Sequence, residues 1–201
     1  MTLLGNGLEA VDQNEAALSV YEARLSMLQR FGASEDRLLA VQSNLANTYH
    51  MLSRFEDTLR IRRDLYSGYV KLLGEEHANT LICATNYANC LLSLRRFEKA
   101  KSLLRKIMPV ARRVLDDSNE LTIRMGWIYA EALCPDTSAT LGDLREAVAT
   151  LEEIERTARR VLGGAHPMVV GIDDSLRVSR AALRTRETPS ASPGVEAAAR
   201  T

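Results

Sequence analysis

Residues Ser43–Glu56, SNLANTYHMLSRFE, return 42 residues later as Thr85–Glu98, TNYANCLLSLRRFE. Asn44/Asn86, Ala46/Ala88, Asn47/Asn89, Leu52/Leu94, Arg54/Arg96, Phe55/Phe97 and Glu56/Glu98 coincide. Self-similarity at a fixed period of this size marks a chain built from stacked copies of one supersecondary unit. A third copy follows. Tyr129-Ala130 and Leu133 lie 42 residues after Tyr87-Ala88 and Leu91. Arg112-Arg113-Val114-Leu115 then recurs as Arg159-Arg160-Val161-Leu162, at an offset of 47, so five extra residues fall in the turn-rich stretch Cys134–Gly142. A further echo pairs Leu72–His77 with Val161–His166.

The apolar spacing inside each copy is helical. Leu45, Tyr49 and Leu52 stand at i, i+4 and i+7, and Leu103, Leu104, Ile107, Val110 and Val114 continue the rhythm one repeat later. Short polar breaks separate the helices, so each copy reads as a helical hairpin. One hairpin cannot bury both of its apolar faces, and hairpins must therefore stack. The pattern predicts helices at 8–31, 36–52, 55–73, 78–94, 97–115, 119–133, 142–162 and 167–184. Gly32, Gly74 and Gly163 are expected to end helices in a left-handed conformation, and Pro167 suits a first helical turn. Pro109 falls inside 97–115 and is expected to kink that helix or remove one of its hydrogen bonds. Residues 1–7 and 185–201 are read as disordered, flanking a repeat domain over 8–184.

Composition agrees with an all-α chain of 201 residues. Hydrophobic residues make up 46% and aromatics only 5%, with Leu, Ala, Arg and Glu, all good helix formers, prominent. Lys+Arg and Asp+Glu are equal at 26 each, a balance that argues against a nucleic-acid partner. No apolar run is long enough to span a membrane, and no secretory leader is evident at the start. The unpaired set Cys83, Cys90 and Cys134 leads to an expectation of reduced thiols in the cytoplasm.

The pattern N-L-A-x-x-Y…F-E with a Leu-Gly-x-x-His turn and a 42-residue period resembles the kinesin light chain class of tetratricopeptide repeat. The resemblance covers roughly 36–166. It implies a right-handed α-solenoid of stacked antiparallel helix pairs, about three repeats plus flanking helices. It also implies a non-catalytic scaffold that binds an extended peptide or protein partner in its concave groove, a kinesin-type or other cargo complex being one setting. Three features depart from the family. The N-terminal heptads of kinesin light chain are missing, the leading helix 8–31 aligns instead as the second helix of a truncated repeat, and Thr58 replaces the small Ala expected at a helix crossing, which Ala16, Ala100 and Ala147 or their neighbours keep.

In this repeat class the first helix of each pair lines the groove. Carried over position by position, the groove residues are Ser43, Asn47 and His50, then Thr85, Asn89 and Ser93, then Arg124, Trp127 and Glu131. Most can hydrogen-bond an extended backbone. Asn47 and Asn89 have a second reading, as helix-to-helix hydrogen bonds within the stack. Trp127 is either an interface anchor or packing between repeats two and three. His77 and His166 occupy equivalent turns and are read as helix caps, since neither has metal-ligating neighbours at the right spacing; no metal and no cofactor is expected. His50 with Cys90 or Cys134 lacks an oxyanion donor and an orienting group, so no catalysis is expected. Arg62-Arg63, Arg112-Arg113 and Arg159-Arg160 are expected to align along the outer face. Two further readings concern the chain's context: a structural segment of a longer or self-associating array, or a regulatory domain for an enzyme or motor supplied in trans.

Overall fold

A computed structural model describes Gly5 and residues 13–134 and 139–188. Eight helices and no strand occur among them: α1 Asn14–Arg30, α2 Glu35–Met51, α3 Phe55–Leu73, α4 Ala78–Ser93, α5 Phe97–Leu115, α6 Glu120–Leu133, α7 Leu141–Leu162 and α8 Pro167–Glu187. Each helix packs on the next, and α4 packs on α6 as well. This nearest-neighbour stacking is an α-solenoid, made of the pairs α2/α3, α4/α5 and α6/α7 between α1 and α8. The helix over 167–184 runs on to Glu187. Gly5, inside the segment 1–7 read as disordered, is helical and buried against Tyr21; the rest of both terminal expectations falls outside the described residues, as do residues 8–12 of the leading helix and 135–138 of the inserted turn.

Small side chains set how closely the helices approach. Ala46, Ala88 and Ala130, one per repeat, are each at most 1% exposed. Thr58, Ala100 and Ala147 fill the matching crossing on the second helices and are fully buried. Thr58 tolerates that place because its hydroxyl donates to the Arg54 carbonyl at 3.0 Å. On α1 it is Ala17, not its neighbour Ala16, that is buried. The largest continuous core runs through α4 to α8 around Leu81, Leu104, Met125, Leu151 and Ile172. A separate cluster joins α1 and α2 through Tyr21, Leu28, Val41 and Leu45.

The turns repeat as the sequence does. Ser53 and Arg95, 42 residues apart, both have positive φ, at 57° and 55°. Gly74 and Gly163 end α3 and α7 with φ 86° and 85°, but their ψ values of 169° and 150° are extended rather than left-handed helical. Few residues other than glycine adopt that region. Asp116 nevertheless occupies it at the equivalent place after α5, with φ 78° and ψ 157°. His77 and His166 cap α4 and α8, their Nδ1 atoms accepting the Asn79 and Met168 N–H groups at 3.1 and 3.2 Å. Pro109 sits inside an unbroken α5; having no N–H, it leaves one rung of the helix unmade.

Candidate partner-binding groove

The first helices of the pairs, α2, α4 and α6, supply the nine expected groove residues. On α2, Asn47 is exposed and Ser43 and His50 are half-buried. On α4, Asn89 and Ser93 are exposed. Thr85 is only 2% exposed, and its hydroxyl is used within the helix on the Leu81 carbonyl at 2.8 Å. Ser93 likewise donates to the Asn89 carbonyl at 3.1 Å. Neither hydroxyl proton is therefore free for a ligand. On α6, Arg124 is exposed, and Trp127 and Glu131 are half-buried.

Five of the nine come together. Thr85, Asn89, Arg124, Trp127 and Glu131 line one recess of about 530 Å³ between α4, α6 and the start of α8. Asn86, Glu120, Ile128 and the turn His166–Met168 complete it. These additions were missed in the sequence, although Glu120 stands two turns before Trp127 on the face that already holds Arg124, a spacing that announces it. The recess mixes an aromatic wall with amides and both signs of charge. Ser43 and Asn47 lie apart from it, beside a much smaller gap between α2 and α4 that Asn86 also borders. His50 turns its ring edge-on to Phe55 at 5.5 Å.

The indole of Trp127 is held in place. Its Nε1 donates to Ser175 Oγ at 2.9 Å, and Ser175 Oγ donates on to Glu131 at 3.4 Å. The ring packs against Gly171 of α8, so close that a Cβ there would come within 2.3 Å of it. Trp127 thus packs between the third repeat and α8, not between repeats two and three, while its side chain also lines the recess. Burial raises the Glu131 carboxyl above its ordinary value, and hydrogen bonds from Ser175 and Trp127 oppose the shift.

The expected outer ridge of paired arginines does not form as read. Arg63, Arg112 and Arg159 are exposed and ion-paired: Arg63 with Asp64, Arg112 with Asp117 and Glu153, and Arg159 with Glu155 and Asp173. Arg62 is instead 9% exposed and points inward between the first two full repeats. Its Nη2 donates to Asn47 Oδ1 at 3.4 Å, so the helix-to-helix reading of Asn47 has a contact behind it. The equivalent hydrogen bond is not made by Asn89, because Leu104 stands where Arg62 would be. Among the described residues no group of three His, Cys, Asp or Glu side chains is arranged to hold a metal ion, and no helix is long and apolar enough to cross a membrane.

The family model for the tetratricopeptide repeat matches residues 37–113. Among solved structures, the nearly identical TPR-like repeats of a Podosopora anserina protein classed as a kinesin light chain superpose with a TM-score of 0.74 at 19% identity, covering 92% of this chain and 85% of that one. A second structure of those repeats reaches 0.76 at the same identity and coverage. BtubC (BKLC) from P. vanneervenii aligns over all of this chain and 84% of its own, with a TM-score of 0.55 and 15% identity. These likenesses establish the fold. No curated protein matches the chain.

Proposed function

Since residues 37–113 match the tetratricopeptide repeat, we propose that this chain is a non-catalytic adaptor that holds an extended segment of a partner protein along the concave face of α2, α4 and α6. The observation that carries the reading is the recess around Trp127. Five residues from two successive repeats meet there, the exposed Asn89 and the indole of Trp127 among them. An extended peptide needs just such side chains, because its own backbone groups have no sheet partner. An aromatic wall fixed by Ser175 and Gly171 loses little freedom on binding, which favours affinity. With so few repeats the footprint is small, and a micromolar Kd is in keeping with it.

The test is a pair of exposed substitutions. A partner captured from native extract is identified, reduced to its shortest binding peptide, and titrated by calorimetry. Asn89→Ala with Arg124→Ala is expected to weaken that peptide about tenfold, with the melting temperature unchanged because both side chains are exposed. Undiminished affinity in the double variant ends the groove reading. A second reading, end-to-end self-association, draws on the exposed Val170 and Val178 of α8, at 49% and 62% exposure. Light scattering across a concentration series decides it, and a constant monomer mass removes it.

A further inference from the structure

In the third repeat, Tyr129 of α6 is held from both sides on the convex face. Arg105 of α5 donates to its hydroxyl at 2.8 Å, and the hydroxyl donates to Glu146 of α7. One repeat earlier the same columns hold Arg63, Tyr87 and Lys99. A base stands where the acid closes the arrangement. Among the described residues the Tyr87 hydroxyl makes no hydrogen bond and Lys99 no ion pair. The Tyr87 ring is nevertheless fixed, stacked on Tyr66 with centroids 6.4 Å apart.

Arg63, Tyr87 and Lys99 line one recess of about 460 Å³ at the seam of α3, α4 and α5. Its lining carries four cations, Arg60, Arg63, Arg96 and Lys99, against two acids, Glu56 and Asp57. The same columns one repeat on are balanced, with Lys99, Lys101 and Arg105 against Glu98, Asp143 and Glu146. Three of the four cations are paired: Arg60 with Asp57, Arg63 with its neighbour Asp64, and Arg96 with Glu56. Those pairs are open to solvent, so each is worth little and gives way to a more highly charged anion. Lys99, exposed and unpaired, has no partner to give up.

We propose that this convex recess is a phosphate site, which receives a phosphorylated serine or threonine of a partner protein. The third repeat supplies the geometry: the ligand's oxygens take the place of the Glu146 carboxylate, among Tyr87, Arg63 and Lys99. The charge supplies the chemistry. The lining's excess of two positive charges matches one phosphate monoester, which carries about −1.5 to −2 at neutral pH, whereas a carboxylate supplies half of that. The terminal oxygens of a phosphate can accept from the Tyr87 hydroxyl, the Lys99 ammonium and the Arg63 guanidinium together. In the third repeat the acid arrives on a side chain of an adjacent helix; here it arrives on a side chain of another protein. A membrane is disfavoured as the source, because Glu56, Asp57 and Asp64 stand around the same cations and repel a broad anionic surface.

The probe is a capped pentapeptide, alanine throughout except for a central phosphoserine, whose 31P resonance is followed as the full chain is added. A Kd of about 1 mM or tighter is expected, with binding weakened as salt is raised. Lys99→Glu supplies the third repeat's acid from within. It is expected to fold with an equal or higher melting temperature and to weaken the peptide at least about tenfold. Tyr87→Phe removes a single donor and is expected to weaken it about threefold to tenfold. The Asn89/Arg124 double variant is expected to bind the phosphopeptide as the parent does, so this site and the groove are tested separately. The proposal is overturned if the phosphoserine resonance does not move, if the matching glutamate peptide or inorganic phosphate binds as tightly, or if Lys99→Glu or Tyr87→Phe binds as well as the parent. It is overturned as well if the double variant loses the peptide, which places the phosphate in the groove, or if vesicles containing a phosphoinositide displace the peptide, which makes a lipid headgroup the better ligand.

Discussion

Glu131 shows how one side chain is committed on two sides. It accepts from Ser175, which in turn accepts from Trp127, and burial keeps its carboxyl above the ordinary range. The folded chain therefore holds this proton to higher pH than the unfolded chain does. Between the two values the native state binds more protons, so stability falls as pH rises through that window and is greatest below it. Glu131→Gln keeps an acceptor for Ser175 and removes the charge. It is expected to raise the melting temperature more at pH 7 than at pH 4, as read by circular dichroism at both values; an equal change at the two rules out the carboxylate as the source. Arg62 marks the limit of what single residues disclose in sequence. Read beside Arg63 it is one of a basic pair, and pairs of arginines usually sit on a surface. The signal that places it inside is its register with Leu104 and Leu151, which appears only when the repeats are aligned column by column and the columns are read for charge.

At the scale of the helix, the repeat period sufficed to locate every pair, since apolar spacing and turn composition agree over many residues at once. The α3 and α5 boundaries were legible to the residue, and the others to within a few, except the start of α1, which was expected at residue 8 and falls at Asn14. What the spacing did not convey was the conformation of the connections. Gly74 and Gly163 announce themselves as turns, but the same turn after α5 is made by Asp116, which has no glycine to betray it. Its carboxylate accepts the Ser118 N–H at 2.8 Å, a partial compensation for the strained backbone. Strain in that region amounts to about 1–3 kcal/mol, and a turn hydrogen bond is worth about 1 kcal/mol. Asp116→Gly is accordingly expected to stabilise the chain by about 1 kcal/mol in urea denaturation, with an unchanged slope. A loss of stability means that the Asp116 side chain outweighs its backbone. The groove residues were only half legible for a related reason: position in the repeat tells which way a side chain faces, not whether its hydroxyl is already used, as those of Thr85 and Ser93 are.

Across the whole molecule, stability is distributed unevenly. The pairs from α4 to α8 share one core, while α1 and α2 have a smaller one of their own, and Arg62 sits near the boundary between them. In a solenoid each unit leans only on its neighbours, so units can open separately. Native-state hydrogen exchange is expected to show α1 and α2 opening at a free energy about 1–3 kcal/mol below that of α4 to α7. Uniform protection from α1 to α7 shows that the two cores open as one. Ion pairs between successive second helices, Arg105 with Glu146 and Arg112 with Glu153, cross the convex side; being exposed, they align the repeats more than they strengthen them.

The chain's sole indole, wedged against Gly171 with one edge turned to the recess, equips the protein with an intrinsic optical gauge. Its emission colour follows the wetness of that junction, so a bound segment that covers the edge shifts it toward the blue and fraying of α8 shifts it toward the red. The two events can be told apart in unlabelled material, in a cuvette, before any partner has been given a name.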